Sequence, residues 1–260
     1  GADTASEKQR RICVAVSSSP SGPFADVRAP MFDYGKSTID AHVFRDDGQA
    51  YLYFVEEFPN RVFVVPLSAD LITPAGGSVL CLSPDQQWEG RVNEGPAVIR
   101  RGDSYIMLYS GSGFSSPNYA VGYAIAESPL GPWRKHPGNP ILKRTHRASG
   151  PGHNAIIPSP DGNELFVVYH THQHSSGGGP RQLAIDRLLI GDGAVGPWVT
   201  IAGPTTLPQS MPSGAPPSAV GGSDSFDRAE IDRSRWTVLN ENPTHWRLEE
   251  GRLVIRTQNG

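Results

Sequence analysis

Cysteine is nearly absent from this chain, with two in 260 residues. Cys13 and Cys81 sit in the apolar runs Ile12-Cys13-Val14-Ala15 and Val79-Leu80-Cys81-Leu82, so a disulfide scaffold is excluded. The plain reading is two thiols behaving as small hydrophobes, with a single bridge between them as the minority alternative. No apolar run approaches the ~20 residues that cross a bilayer, so a membrane is not an expected partner. A basic excess is also missing: 23 Lys and Arg face 26 Asp and Glu, with no basic stripe, which excludes nucleic acid as a partner class. Residues 1–11 are mostly polar and charged and hold no signal peptide. The sequence starts at Gly1 rather than Met, so that silence does not argue for the cytoplasm. No stretch carries a long helical period; apolar residues come in short runs bounded by Gly, Pro, Asp and Asn.

Glycine (29) and proline (24) are plentiful, as a turn-rich all-β protein requires. One pattern occurs three times. Ile39-Asp40-Ala41-His42 leads to Asp46-Asp47-Gly48 and Tyr51-Leu52-Tyr53-Phe54. Asn93-Glu94-Gly95-Pro96 leads to Gly102-Asp103 and Tyr105-Ile106-Met107-Leu108-Tyr109. Gly152-His153-Asn154-Ala155 leads to Asp161-Gly162 and Leu165-Phe166-Val167-Val168-Tyr169. Each copy reads strand, glycine turn, strand. A glycine follows eight residues after Asp40, Glu94 and Asn154, which predicts equivalent places for these three polar residues. The spacings of 54 and 60 residues fit four-stranded propeller blades. A second element recurs: Val14-Ala15-Val16 and Tyr123-Ala124-Ile125-Ala126 each run into Ser-Pro-x-Gly-Pro and then Phe24 or Trp133. Trp133 is expected in the blade core. Proline cannot donate to a ladder, so both strands must stop there.

Radial packing would bring Asp40, Glu94 and His153/Asn154 around one rim. Two carboxylates facing one cavity suit general acid–base chemistry on a sugar. Glu94 is the candidate acid, since burial and a neighbouring anion both raise a carboxyl pKa, and Asp40 supplies that anion. The plainer alternative pairs Glu94 with Arg91 or Arg100 on the surface. Asp46 and Asp47 are expected to serve the hairpin turn only. His170, His172 and His174 alternate as one strand face would allow. A structural reading is preferred to a metal site, with His170 alone reaching the cavity. Arg181 either contacts sugar hydroxyls through its planar fork or pairs with Asp186. Trp88, Phe114 and Tyr119 lie in loops beside the Glu94 hairpin and are candidates for stacking on a sugar ring.

Composition changes after about residue 203. Residues 204–223 hold Pro204, Pro208, Pro212, Pro216 and Pro217 with much Gly, Ser and Ala, which is linker composition. From Asp224-Ser225-Phe226 through Trp236 and Trp246-Arg247-Leu248, a second β domain is expected to begin. Only 37 residues follow Ser223, too few for an independent core, so this domain is expected to be truncated.

Taken in order and register, these elements resemble glycoside hydrolase family 43, the arabinanase, β-xylosidase and α-L-arabinofuranosidase group. Ser19-Pro20-Ser21-Gly22-Pro23-Phe24, Ile39-Asp40-Ala41, Asn93-Glu94-Gly95-Pro96, Gly152-His153-Asn154 and Tyr169-His170 carry the likeness over about residues 9–203. The tail resembles the start of a concanavalin-like β-sandwich. The resemblance implies an all-β, five-bladed propeller that hydrolyses arabinose- or xylose-containing plant polysaccharides with inversion. It implies Glu94 as general acid and Asp40 as the residue that tunes the acid's pKa. Substrate contacts would come from His153, Arg181, His170, Trp88 and Phe114. No cofactor is required, although a structural calcium on the propeller axis, beside His153, is an expectation from some members. Family enzymes place a general base in blade one, upstream of every motif above. At ~290 residues for five blades of this length, residues 1–203 hold roughly three and a half to four. The expectation is therefore an incomplete propeller, its first blade largely missing and its base with it. The alternatives are a non-catalytic carbohydrate-binding propeller and a related phosphorylase using Arg100-Arg101 or Arg144/Arg147. The parent protein is expected to be secreted or periplasmic, with a cytoplasmic home as the other reading.

Overall fold

In a computed structural model, the structure describes residues 2–3, 9–194, 196–206, 209–215, 226, 228–233, 244, 246–250 and 252–255. Two compact units emerge, Gly1–Ser213 and Gly214–Gly260.

The first unit opens with two short antiparallel pairs: β1 (Ala2–Asp3) with β2 (Arg10–Arg11), and β3 (Val14–Val16) with β4 (Ala25–Arg28). Three four-stranded antiparallel sheets follow in sequence order. The first holds β5 (Thr38–Asp46), β6 (Gln49–Glu56), β7 (Arg61–Leu67) and β8 (Val79–Leu82). The second holds β9 (Asn93–Arg101), β10 (Ser104–Gly111), β11 (Ala120–Ala126) and β12 (Arg134–Lys135). The third holds β13 (Ser149–Pro158), β14 (Leu165–His172), β15 (Arg181–Gly191) and β16 (Trp198–Ile201). Each is a meander, as a propeller blade is. The only helix among the described residues is the single 3₁₀ turn Gln87–Glu89.

Alternation explains why the middle strands read as continuous apolar runs. Successive side chains of a strand point to opposite faces. On β6, Leu52 and Phe54 pack towards the N-terminal elements with Ile12 and Met31, while Tyr53 and Val55 face the second sheet. On β10, Met107 and Tyr109 join that first core, while Ile106 and Leu108 meet Val167, Tyr169 and Leu188 of the third sheet. Both faces are buried, so no polar alternation survives. Cys81 is buried and Cys13 half-buried, both as free thiols. The repeated Ser-Pro-x-Gly-Pro turns have matching geometry. Gly22 N–H donates to Ser19 O at 3.0 Å and Gly131 N–H to Ser128 O at 2.9 Å, with φ of +81° and +93° at the two glycines. Trp133 packs edge-on against Tyr53 in the first core, whereas Phe24 is exposed.

The innermost strands β5, β9 and β13 lie side by side. Each carries a bulge in which two residues oppose one on the neighbouring strand. These are Asp40 and Ala41 against Phe54, Gly95 and Pro96 against Tyr109, and His153 and Asn154 against Tyr169. The first residue of each pair is left-handed: φ is +56° at Asp40, +58° at Gly95 and +54° at His153. Glycine takes this place most easily, and Asp and His are among the few side chains that tolerate it. The equivalent residues are thus Asp40, Gly95 and His153. The expected register of Asp40, Glu94 and Asn154 is corrected by one place in the second and third sheets.

The expected boundary at about residue 203 falls inside the first unit. Thr205 and Gln209 donate to the buried carboxylate of Asp186, at 2.6 and 2.8 Å, and Ser213 N–H to Glu164 at 2.6 Å. The second unit contains the hairpin β17 (Trp246–Glu249) and β18 (Arg252–Ile255), in register Trp246 to Ile255. Asp224, Ser225, Trp236 and Gly251, which mark the expected sandwich, lie outside the described residues.

Candidate active site

The bulges kink the inner strands where they meet, and a cleft of about 480 Å³ opens there. Asp40, Glu94, His153, Phe114 and Arg181 line it together with Arg10, Glu57, Phe58 and Asn60. Asp40 and His153 arrive from equivalent bulges. Glu94 arrives one residue earlier on β9, with the chain turning through Gly95. A β-carbon on Gly95 would sit 3.4 Å from His153 Cα, an ordinary contact, so it is the left-handed φ of +58° rather than space that favours glycine here.

Glu94 is 6% exposed, and both carboxylate oxygens are held. Tyr119 OH donates to Oε1 at 2.6 Å and Asn60 Nδ2 to Oε2 at 2.7 Å. Burial raises the Glu94 carboxyl above its ordinary value and the Asp40 charge adds to this, while Tyr119, Asn60 and His153 pull it back. A raised carboxyl pKa is the direction an acid catalyst needs. Asp40 Oδ2 accepts the Gly95 N–H at 3.0 Å, so the anion is anchored to the strand that carries Glu94. Glu57, a third carboxylate in the cleft, is tied to Arg10 at 2.6 Å and to Ser37 at 2.5 Å.

The surface alternative for Glu94 does not hold. Arg100 instead bridges to Asp46 and Asp47, at 2.8 and 2.7 Å, which ties the first hairpin turn to the second sheet. Arg181 does not pair with Asp186, whose carboxylate takes Tyr169, Thr205 and Gln209. Its guanidinium lies over the Phe114 ring, 5.7 Å from the centroid, on the cleft wall. Asn154, one residue past His153, is buried rather than facing the cleft.

Two expected cleft residues stand elsewhere. Trp88 packs on the second sheet, where its indole covers Gly111 and Gly122, lies 5.7 Å from Tyr109 and donates to Gln86 at 2.7 Å. Those two glycines leave a slot that the indole fills, and this removes Trp88 from the cleft. His170 lies behind the cleft wall, stacked on Tyr119 at 5.5 Å. Burial first, then Arg181, His153 and His172, press its pKa down to about 4.

Asn60, Phe58 and Ser110 gave no signal in the sequence. Asn60 belongs to the first sheet's β6–β7 turn and reaches the acid only because that turn runs beside Val92. Tyr119 is visible there as an aromatic, but its hydroxyl is what meets the acid.

Calcium calls for six to eight oxygen ligands. His153 offers a ring nitrogen, and among the described residues no three His, Cys, Asp or Glu side chains gather to hold a metal ion.

The match to known proteins agrees with this geometry. Residues 2–195 match the model of glycosyl hydrolases family 43. The chain is 31% identical over 187 residues to a β-D-galactofuranosidase of Aspergillus niger, covering 70% of this chain and 52% of that protein. It is 34% identical over 149 residues to an α-L-arabinofuranosidase of Humicola insolens, covering 51% of this chain and 30% of that one. It thus spans about half or less of the curated relatives' length. Among solved structures, a thermostable family-43 glycoside hydrolase superposes with a TM-score of 0.76 at 45% identity, covering 81% of this chain and 72% of that chain. An endo-1,4-β-xylanase from Bacteroides thetaiotaomicron superposes at 0.68 and 32% identity, covering 75% and 68%. On this match and on the shared blade architecture, the chain belongs to glycosyl hydrolase family 43.

Proposed function

We propose that the protein hydrolyses O-glycosidic bonds with inversion, in polysaccharides or oligosaccharides of plant type that contain arabinose or xylose. The observation that carries this reading is Glu94: a buried carboxyl with a raised pKa, beside Asp40, at the wall of an open cleft. Glu94 gives its proton to the leaving oxygen. Burial first, and then the charge of Asp40, favour the protonated form. Inversion also needs a carboxylate base ~6.5–9.5 Å from the acid, with a water between. Glu57, engaged by Arg10 and Ser37, is a third carboxylate of the cleft, and the base is not assigned among these residues. Arg181 and Phe114 supply a cation and a ring face to sugar hydroxyls and C–H edges.

The substrate class is supported by relatives named as an arabinofuranosidase, a xylanase and a galactofuranosidase. Secretion is supported by two Streptomyces relatives named extracellular. No helix among the described residues is long and apolar enough to cross a membrane. The phosphorylase alternative needs a cationic phosphate site, and Arg100 is already engaged by Asp46 and Asp47.

The test is release of nitrophenol from 4-nitrophenyl α-L-arabinofuranoside and β-D-xylopyranoside, with the product anomer followed by proton NMR. Glu94→Gln is expected to lose ~10²–10⁴ in kcat/KM on natural oligosaccharides. Full activity in that variant would remove the assignment. Oligosaccharide binding without turnover would favour the non-catalytic reading, and a requirement for phosphate the phosphorylase.

A further inference from the structure

The innermost strand of each sheet has one edge without a ladder partner. β9 ends the order of the second sheet, so its outward backbone N–H groups are met from elsewhere. Two of them are met by side chains of β5. Asp40 Oδ2 accepts the Gly95 N–H, and His42 Nε2 accepts the Val98 N–H at 3.0 Å. The second bond lies four residues beyond Glu94 on the same strand.

A backbone N–H only donates, so Nε2 is the unprotonated ring nitrogen and the ring hydrogen sits on Nδ1. A proton added to Nε2 would meet the Val98 hydrogen and end the bond. Burial lowers the His42 pKa, which favours the accepting form. From β6 the ring faces Tyr53, with centroids 6.2 Å apart, and that phenol is itself kept neutral by burial. Asp40, two residues earlier on β5, has its carboxylate turned to Gly95.

We propose that His42 is a positioning residue: it holds the strand of Glu94 against the strand of Asp40, and so sets how strongly the two carboxyls act on each other. One bond at Gly95 is a pivot. A second bond at Val98 fixes the direction of β9 as well. What depends on this hold is the charge of Asp40, which adds to burial in raising the Glu94 pKa.

The inference rests on Glu94 being the acid, and the experiment separates the two. Two substitutions that differ in reach test it. His42→Gln places an amide oxygen near the position of Nε2, where it can accept the Val98 N–H; His42→Asn stops short of it. His42→Asn is expected to move the alkaline limb of kcat/KM to lower pH, the direction that loss of the Asp40 charge gives. Its kcat is expected to fall roughly tenfold, as for one lost hydrogen bond. His42→Gln is expected to keep the parent's limb and most of its kcat. In an Asp40→Asn background, His42→Asn is expected to move the limb no further, because the charge it acts through is gone. A lower unfolding midpoint in His42→Asn with an unmoved limb would make the residue structural only and overturn the proposal, and so would a further shift in the double variant. If His42→Asn does not fold, proton–nitrogen NMR of the parent protein is the test. The imidazole hydrogen should sit on Nδ1, and the amide signals of Val98 and Gly95 should both move at the pH where Nε2 takes up a proton. A hydrogen on Nε2, or a Gly95 signal indifferent to that step, overturns the proposal. Activity surviving in Glu94→Gln would instead overturn the acid assignment, with the two amide signals still reporting the hold of His42 on β9.

Discussion

The backbone N–H of Gly95 donates to Asp40 Oδ2 at 3.0 Å, so the anion that adds to burial in raising the Glu94 pKa is gripped by the strand bearing Glu94. Two sheets thereby hold one acid. The left-handed turn at Asp40 aims its carboxylate across the gap, and the bulge at Gly95 presents the N–H that receives it.

Asp40→Asn should keep the fold and change the chemistry. Asparagine tolerates the left-handed backbone, and its amide oxygen can still take the Gly95 N–H. The charge is gone, so the Glu94 pKa falls towards its ordinary value and the alkaline limb of kcat/KM moves to lower pH. The rate should drop on the order of 10². Asp40→Ala removes the acceptor as well and should destabilise by about 1–2 kcal/mol for a left-handed alanine. A pH–rate profile and a urea melt check the pair.

His170 should stay neutral down to about pH 4. Its folded pKa lies below its unfolded value of 6.5, so the unfolded chain binds the extra proton first. Stability is therefore expected to decline as pH falls from about 6.5 to about 4, and not above that window. Arg181→Gln removes one of the charges opposing protonation and should raise the His170 pKa. Proton–nitrogen NMR of the imidazole reads both; an unmoved titration in the variant would sink the attribution.

Gly152→Ala should damage the site without replacing any of its side chains. Its β-carbon would lie 2.2 Å from Tyr119 Cε1. The ring must move, at a cost of about 1–3 kcal/mol, and its bond to Glu94 goes with it. A lower midpoint of thermal unfolding and an alkaline limb shifted upwards, because the lost Tyr119 bond had lowered the Glu94 pKa, are the expected results. An unchanged midpoint would mean the packing is looser than described.

Phe114 and Trp88 should separate binding from folding. Phe114 is 58% exposed on the cleft wall, so Phe114→Ala should raise KM for oligosaccharides about tenfold and leave stability within about 0.5 kcal/mol. Trp88 fills a slot over Gly111 and Gly122, so Trp88→Ala should cost about 3 kcal/mol and leave KM unchanged. The reverse pattern would return Trp88 to the cleft.

The blades were legible because their grammar is local. Apolar runs, glycine turns and Ser-Pro-x-Gly-Pro punctuation each act within a few residues, and all three four-stranded sheets formed where that grammar placed them. The register was not. The turn glycines Gly48, Gly102 and Gly162 follow the bulge residues Asp40, Gly95 and His153 by 8, 7 and 9 positions. Counting back eight from each glycine therefore missed the bulge in the second and third sheets. A bulge inserts a residue into a strand without a reliable mark in composition.

The repeated strand-turn-strand text, with an acidic residue near the head of two copies, was enough to establish all-β blades and to single out Glu94 and Asp40. Only the packed chain revealed that Asn60 and Tyr119 grip Glu94, and that Trp88 packs against the core of the second sheet rather than on the cleft. Those partners lie 34 and 25 positions from Glu94 in the chain. Contacts at such separations arise when separate sheets bury their shared faces, and no short-range pattern encodes which side chains then meet.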